Sequence, residues 1–85
     1  MTYRLSILPR AQRELERLPS GTYERVRDAI RSLGEDPRPS GCRKLSGRAG
    51  WRIRVGDYRV IYEIEDSPAA EVTILHIGHR RDVYR

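Results

Sequence analysis

Cysteine is almost missing from this chain of 85 residues: Cys42 stands alone, so no disulfide can close within it. That excludes the cystine-stapled scaffolds of small secreted proteins. Long apolar runs are missing too. No stretch approaches the roughly 18 apolar residues of a membrane span, and Met1-Thr2-Tyr3-Arg4-Leu5 lacks the apolar core of a signal peptide. The expected setting is the cytoplasm, with no membrane partner. One domain over residues 1–85 is expected at this length, marginally stable by itself. Acids are missing from one place in particular. Between 38 and 62, Arg38, Arg43, Lys44, Arg48, Arg52, Arg54 and Arg59 face Asp57 alone. That window outweighs the net charge of the whole chain, +5, and leaves the remainder close to neutral. Lysine is scarce as well: of 17 cations only Lys44 is not arginine. A general preference for arginine explains the residue type but not the local lack of acids. Positive charge concentrated in this way marks a polyanion partner, a nucleic acid or an acidic protein.

The usual signatures of catalysis are absent. There is no Gly-x-Ser-x-Gly elbow, no phosphate-binding glycine loop and no carboxylate pair spaced for glycoside hydrolysis. His76 and His79 fall on opposite faces of a strand by alternation, and Cys42 is the only thiol, so neither a metal site nor a cofactor is expected. His76, inside an apolar run, reads as a hydrogen-bonded structural histidine. His79, beside Gly78, has a side chain suited to proton transfer near neutral pH. No helix is left over to read a DNA groove, because both predicted helices use their apolar stripes against a sheet.

The pattern along the chain is an α+β one. Tyr3, Leu5 and Ile7 alternate with polar residues as in a half-buried strand. Pro9 suits the first turn of a helix whose inner face is Ala11, Leu15 and Leu18. After Pro19-Ser20-Gly21, with Ser20 or Thr22 as the predicted cap, a second helix carries Tyr23, Val26, Ala29, Ile30 and Leu33 and stops at Gly34. Residues 35–50, rich in Pro, Gly and Ser, read as a loop. Runs 51–55 and 58–64 are joined by Gly56-Asp57, which fits a two-residue type II′ hairpin turn. A strand over 71–77 and a basic tail over 78–85 follow. The order β-α-α-β-β-β describes a two-helix hairpin packed on one face of a mostly antiparallel sheet.

Counting from the two-residue loop sorts the hairpin into faces. Trp51, Ile53, Val55, Tyr58, Val60, Tyr62 and Ile64 turn to the helices; Arg52, Arg54 and Arg59 turn away. Val55 then pairs with Tyr58, Arg54 with Arg59, and Arg52 with Ile61. Like charges directly opposed destabilise a hairpin, and only Glu63 interrupts them. Such a face is either an ordinary solvated one or one that holds an anion, for which the arginine fork suits phosphate.

Several segments together resemble the RelE/ParE toxin superfamily of type II toxin–antitoxin systems over nearly the whole chain. They are Leu18-Pro19, Asp36-Pro37, Lys44-Leu45-Ser46-Gly47, the run from Trp51-Arg52 to Ile61-Tyr62, and Ile77-Gly78-His79-Arg80-Arg81-Asp82-Val83-Tyr84. The resemblance implies a RelE-like fold. In its RelE branch it implies ribosome-dependent cleavage of mRNA without a metal: the 2′-hydroxyl attacks its neighbouring phosphate and leaves a 2′,3′-cyclic phosphate. Carried over residue by residue, Arg59 and Arg80 become phosphate clamps, Arg52 and Arg54 RNA-backbone contacts with Lys44 and Arg48 beside them, and Tyr84 a catalytic tyrosine. Relatives often have lysine where Arg52 and Arg54 stand. Arginine stays protonated and cannot act as a base, so the proton would pass to His79, Tyr84 or a ribosomal group. The implied partners are the ribosome, mRNA and an acidic RelB-like antitoxin that folds on binding, the pair forming a hetero-oligomer on operator DNA through the antitoxin. The ParE branch, which inhibits DNA gyrase, and an inactive toxin fold serving only in a repressor complex are the alternatives.

Overall fold

The computed structural model describes residues 2–80. It contains β1 (Arg4–Ile7), α1 (Pro9–Glu16), α2 (Thr22–Leu33), β2 (Arg43–Lys44), β3 (Trp51–Val55), β4 (Tyr58–Glu65) and β5 (Glu71–His79). One five-stranded sheet has the order β1-β5-β4-β3-β2. All its neighbours are antiparallel except β1 and β5. Both helices lie against one face, as the apolar stripes predict. Ala11 and Leu15 of α1 and Val26, Ile30 and Leu33 of α2 close a core with Ile53, Val60, Tyr62, Val72, Ile74 and Ile77.

The hairpin register is the predicted one, with Val55 opposite Tyr58, Arg54 opposite Arg59 and Arg52 opposite Ile61. Gly56 takes a left-handed φ of 61° and Asp57 does not, as a type II′ turn requires. Three expectations are corrected. The segment 35–50 is not all loop: Arg43–Lys44 adds a two-residue strand at the sheet edge, pairing Arg43 with Arg52 and Lys44 with Trp51. The strand expected over 71–77 continues to His79. Neither Ser20 nor Thr22 caps α2. Gly21 takes the cap position at φ 92°, which only glycine adopts without strain, and its N–H donates to the Glu24 carboxylate at 3.0 Å.

A β-bulge breaks the period of β5. Tyr62 is opposite Ile74 and Ile61 is opposite His76, so Leu75 is an extra residue. This lets Ile74 and Ile77, three apart, both enter the core. Tyr62 is fully buried, and its hydroxyl donates to the Pro37 carbonyl at 2.7 Å. Burial pushes its ionisation well above the usual tyrosine value. Tyr62→Phe should strand that carbonyl and cost about 1–2 kcal/mol in urea unfolding.

Beyond Ile74, where β1 ends, Glu14 of α1 takes over the exposed edge of β5. Its carboxylate accepts the Ile77 N–H at 2.8 Å and the His76 Nδ1 at 2.9 Å. His76 is thus the hydrogen-bonded structural histidine its apolar context suggested. Partial burial alone would raise the Glu14 carboxyl. The Ile77 N–H, His76 and Arg10 outweigh it and hold the carboxyl below its ordinary value of 4.5. A depressed carboxylate stabilises the fold fully above the unfolded-chain value, and the contribution fades as pH falls below it. The stability gap between wild type and Glu14→Gln should therefore shrink as pH falls from about 5 towards about 3, read from denaturant midpoints.

Candidate anion-binding face

The face away from the helices carries the arginines. β2, β3 and β4 place Arg43 beside Arg52 and Arg54 beside Arg59, and Gly78 of β5 stands opposite Arg59 without a side chain of its own. Arg80 follows β5 directly, and its N–H donates to the Asp57 carbonyl of the hairpin turn at 2.8 Å. That bond ties the end of β5 to the tip of the β3–β4 hairpin. Arg54, Arg59 and Arg80 consequently line one small concavity of about 110 Å³, with Gly56, Asp57 and Tyr58. The Arg59 Nε is shielded from solvent. The described lining is strongly basic, with Asp57 as its one acid. A phosphate can accept from each, and each such bond is charge-assisted.

A second, wider concavity of about 490 Å³ lies along β2, lined by Arg43, Lys44, Leu45, Ser46, Arg48 and Arg52. Among the expected RNA contacts, Arg48, Arg52 and Lys44 meet here, while Arg54 joins the first group. Lys44 is partly engaged already, its ammonium 5.4 Å from the centre of the Trp51 ring. Arg38 sits 5.2 Å from the same ring and makes two hydrogen bonds to Asp66, at 3.0 and 3.1 Å. Tyr3 also donates to Asp66, and the Asp66 carboxyl is held down to about 2, first by Arg38 and then by Tyr3. Asp66 lies outside the acid-poor window, so counting charge along the chain overstates what Arg38 adds to the face. Arg43 stands in a segment that reads as loop in the sequence; as the cross-strand partner of Arg52 it belongs to the face.

His79 lies directly opposite Tyr58, on the side of Ile77, with the two rings edge to face at 5.6 Å. It does not line the arginine concavity but touches Tyr58, which does. Tyr84 lies outside the described residues. At the far end of the same sheet the charge reverses: Glu63, Glu65 and Glu71 share a concavity, with Glu65 directly opposite Glu71. The face is basic at the hairpin tip and acidic at the other end, four residues or about 13 Å along β4. Among the described residues no group of His, Cys, Asp and Glu is placed to hold a metal ion, and no helix is long and apolar enough to cross a membrane.

The chain matches the family model of the ParE toxin of the type II toxin-antitoxin system parDE over residues 5–84. The toxin RelG of Mycobacterium tuberculosis is 34% identical over 89 positions, covering 100% of this chain and 99% of the relative. The structure of this chain is similar to a chain of the archaeal RelE–RelB complex from Pyrococcus horikoshii, with TM-score 0.83 and 31% identity over 98% of this chain and 100% of that one. It is also similar to the RelBE2 toxin–antitoxin complex from Mycobacterium tuberculosis, with TM-score 0.82 and 28% identity over 96% and 95%. Fold and basic face together define the toxin of a type II toxin–antitoxin system. More narrowly, the chain belongs to the RelE/ParE toxin superfamily.

Proposed function

We propose that this toxin is a metal-independent endoribonuclease that cuts mRNA on the ribosome and so inhibits translation. The convergence of Arg54, Arg59 and Arg80 on one phosphate-sized concavity carries the reading. Arg59 and Arg80 clamp the scissile phosphate; Arg52, Arg54, Arg48 and Lys44 hold the flanking backbone. The 2′-hydroxyl of the RNA attacks the adjacent phosphorus, the bond to the 5′-oxygen of the next nucleotide breaks, and the products are a 2′,3′-cyclic phosphate and a 5′-hydroxyl end. Negative charge grows on the phosphate oxygens in the transition state. Guanidiniums carried on a backbone fixed by strand pairing and by the Arg80–Asp57 main-chain bond are suited to stabilise it, commonly the largest catalytic contribution. No arginine here can take the 2′-hydroxyl proton. That transfer, and the return of a proton to the departing 5′-oxygen, are assigned to Tyr84 and to His79, which sits one side chain from the concavity, or to a group of the ribosome.

The RelB-bound relatives support a cognate acidic antitoxin as partner, a RelB-like segment whose carboxylates would complement this face. The hetero-oligomer would bind operator DNA through the antitoxin, in the cytoplasm. The ParE-type family match favours a second reading, inhibition of DNA gyrase without cleavage. Mapping the ends of a defined mRNA by primer extension, with and without programmed ribosomes, separates the two. Cuts that need the ribosome support the nuclease. Intact mRNA together with a DNA-damage response in expressing cells supports gyrase.

A further inference from the structure

A third concavity, of about 480 Å³, lies where α2 meets the β2–β3 edge. It has no place in the phosphate chemistry above. Its lining divides by chemistry. Ala29, Pro39 and Ile53 supply an apolar floor, Ser32 and Ser40 supply hydroxyls, and Arg43, Arg52 and Arg54 stand among its walls. Ser32 donates to the Asp28 carbonyl at 3.0 Å and keeps its oxygen as an acceptor. The strand edge adds main-chain groups. β2 pairs only with Trp51 and Arg52, so β3 from Ile53 onward has no described strand on that side. In a hairpin closed by the Val55–Tyr58 pair, alternation turns the Arg54 N–H and C=O away from β4 and towards this edge.

We infer that this groove seats a nucleobase of the bound single-stranded RNA, next to the phosphate held by Arg54, Arg59 and Arg80. The inference rests on the RNA reading and deepens it. Arg54 is shared with the small concavity on one side, and Arg43 and Arg52 with the wide one on the other. A strand whose phosphates follow the arginines must therefore pass the mouth of the groove. Arg52 and Arg54 are one two-residue step apart, about 6.7 Å, and hold the backbone at that mouth. The base between them finds apolar floor, planar guanidiniums to stack on and a few donors and acceptors for its edge. Unstacked single-stranded bases are recognised by that combination, and it gives the toxin a means to prefer one base at one position.

The test is equilibrium binding of the full chain to a short 2′-O-methyl RNA, which cannot be cut, and to the same strand made abasic. Both carry the same phosphates. Wild type is expected to bind the base-bearing strand about tenfold more tightly. Ser32→Leu and Ser40→Leu each put a larger side chain into the groove lining, at a helical and at an exposed loop position. Each should bring the ratio close to one. Arg59→Ala should weaken both strands alike. A wild-type ratio of one, with Arg59→Ala still weakening both strands, overturns the base site and leaves the RNA reading standing; the groove would then fit a protein strand added to the β3 edge. A tenfold ratio that survives both leucines overturns the location. Failure of wild type to bind either strand overturns the base site, while the nuclease reading stands or falls on the ribosome experiment above.

Discussion

Arg59→Ala should lower ribosome-dependent mRNA cleavage by about 10²–10³-fold, the usual loss when one preorganised donor to a developing oxyanion is removed. The size of the effect follows from its position. Arg59 is central in its concavity, between Arg54 across the strand pair and Gly78 on the other side. Its backbone belongs to a strand paired on both sides rather than to a flexible loop, so the position from which its side chain extends is fixed as charge builds on the phosphate. Arg59→Lys should recover only part of the rate, because a point charge cannot replace a planar fork. The measurement is the single-turnover cleavage rate on saturating programmed ribosomes, with circular dichroism to confirm the fold. Cleavage at the wild-type rate by a folded Arg59→Ala protein would remove this residue from the mechanism. Arg48→Ala, on an exposed loop at the far end of the wide concavity, should act differently. Its expected signature is weaker association and a salt dependence reduced by about one ion, with little change in the saturated rate.

The second large effect is on stability. Leu33→Ala should cost about 2–5 kcal/mol, because Leu33 is fully buried at the end of α2 within the core and a cavity would replace it. In a domain of this size each kcal/mol lowers the melting temperature by roughly 4–8 °C, so a fall of at least about 8 °C is expected by circular dichroism. Total stability of small domains is itself only about 5–15 kcal/mol, so the variant should accumulate poorly when expressed alone. A partner that binds only the folded form shifts the balance back by mass action. Co-expression with the cognate antitoxin should therefore restore soluble protein. Leu33→Met, which nearly conserves volume, should cost less than about 1.5 kcal/mol. A Leu33→Ala protein melting within a degree or two of wild type would contradict the packing described for α2.

Much of this was legible in the residues themselves, where the physics is local. Apolar residues at helical spacing announced both helices, and Ala11, Leu15, Val26, Ile30 and Leu33 are buried as their stripes required. Gly56-Asp57 specified a two-residue turn, and a turn of known length sets register by counting, which placed Arg54 opposite Arg59. What the sequence alone could not decide depends on segments distant along the chain. Arg43–Lys44 becomes a strand only because β3 is there to pair with it, amid glycine, proline and serine that carry no strand pattern. The Leu75 bulge exists because β5 must satisfy β4 and the helices together. Glu14 lies off the apolar stripe of α1, and only the edge of β5 running past it gives its carboxylate the Ile77 N–H to accept. Arg38 counted as one more cation of the basic block until the β4–β5 turn brought Asp66 against it. Sequence determined which residues could form helices, a hairpin and a basic face, because those follow from spacing over a few residues. Tertiary structure decided which charges remain on that face, because pairing across 28 residues between Arg38 and Asp66 leaves no periodic trace in the chain.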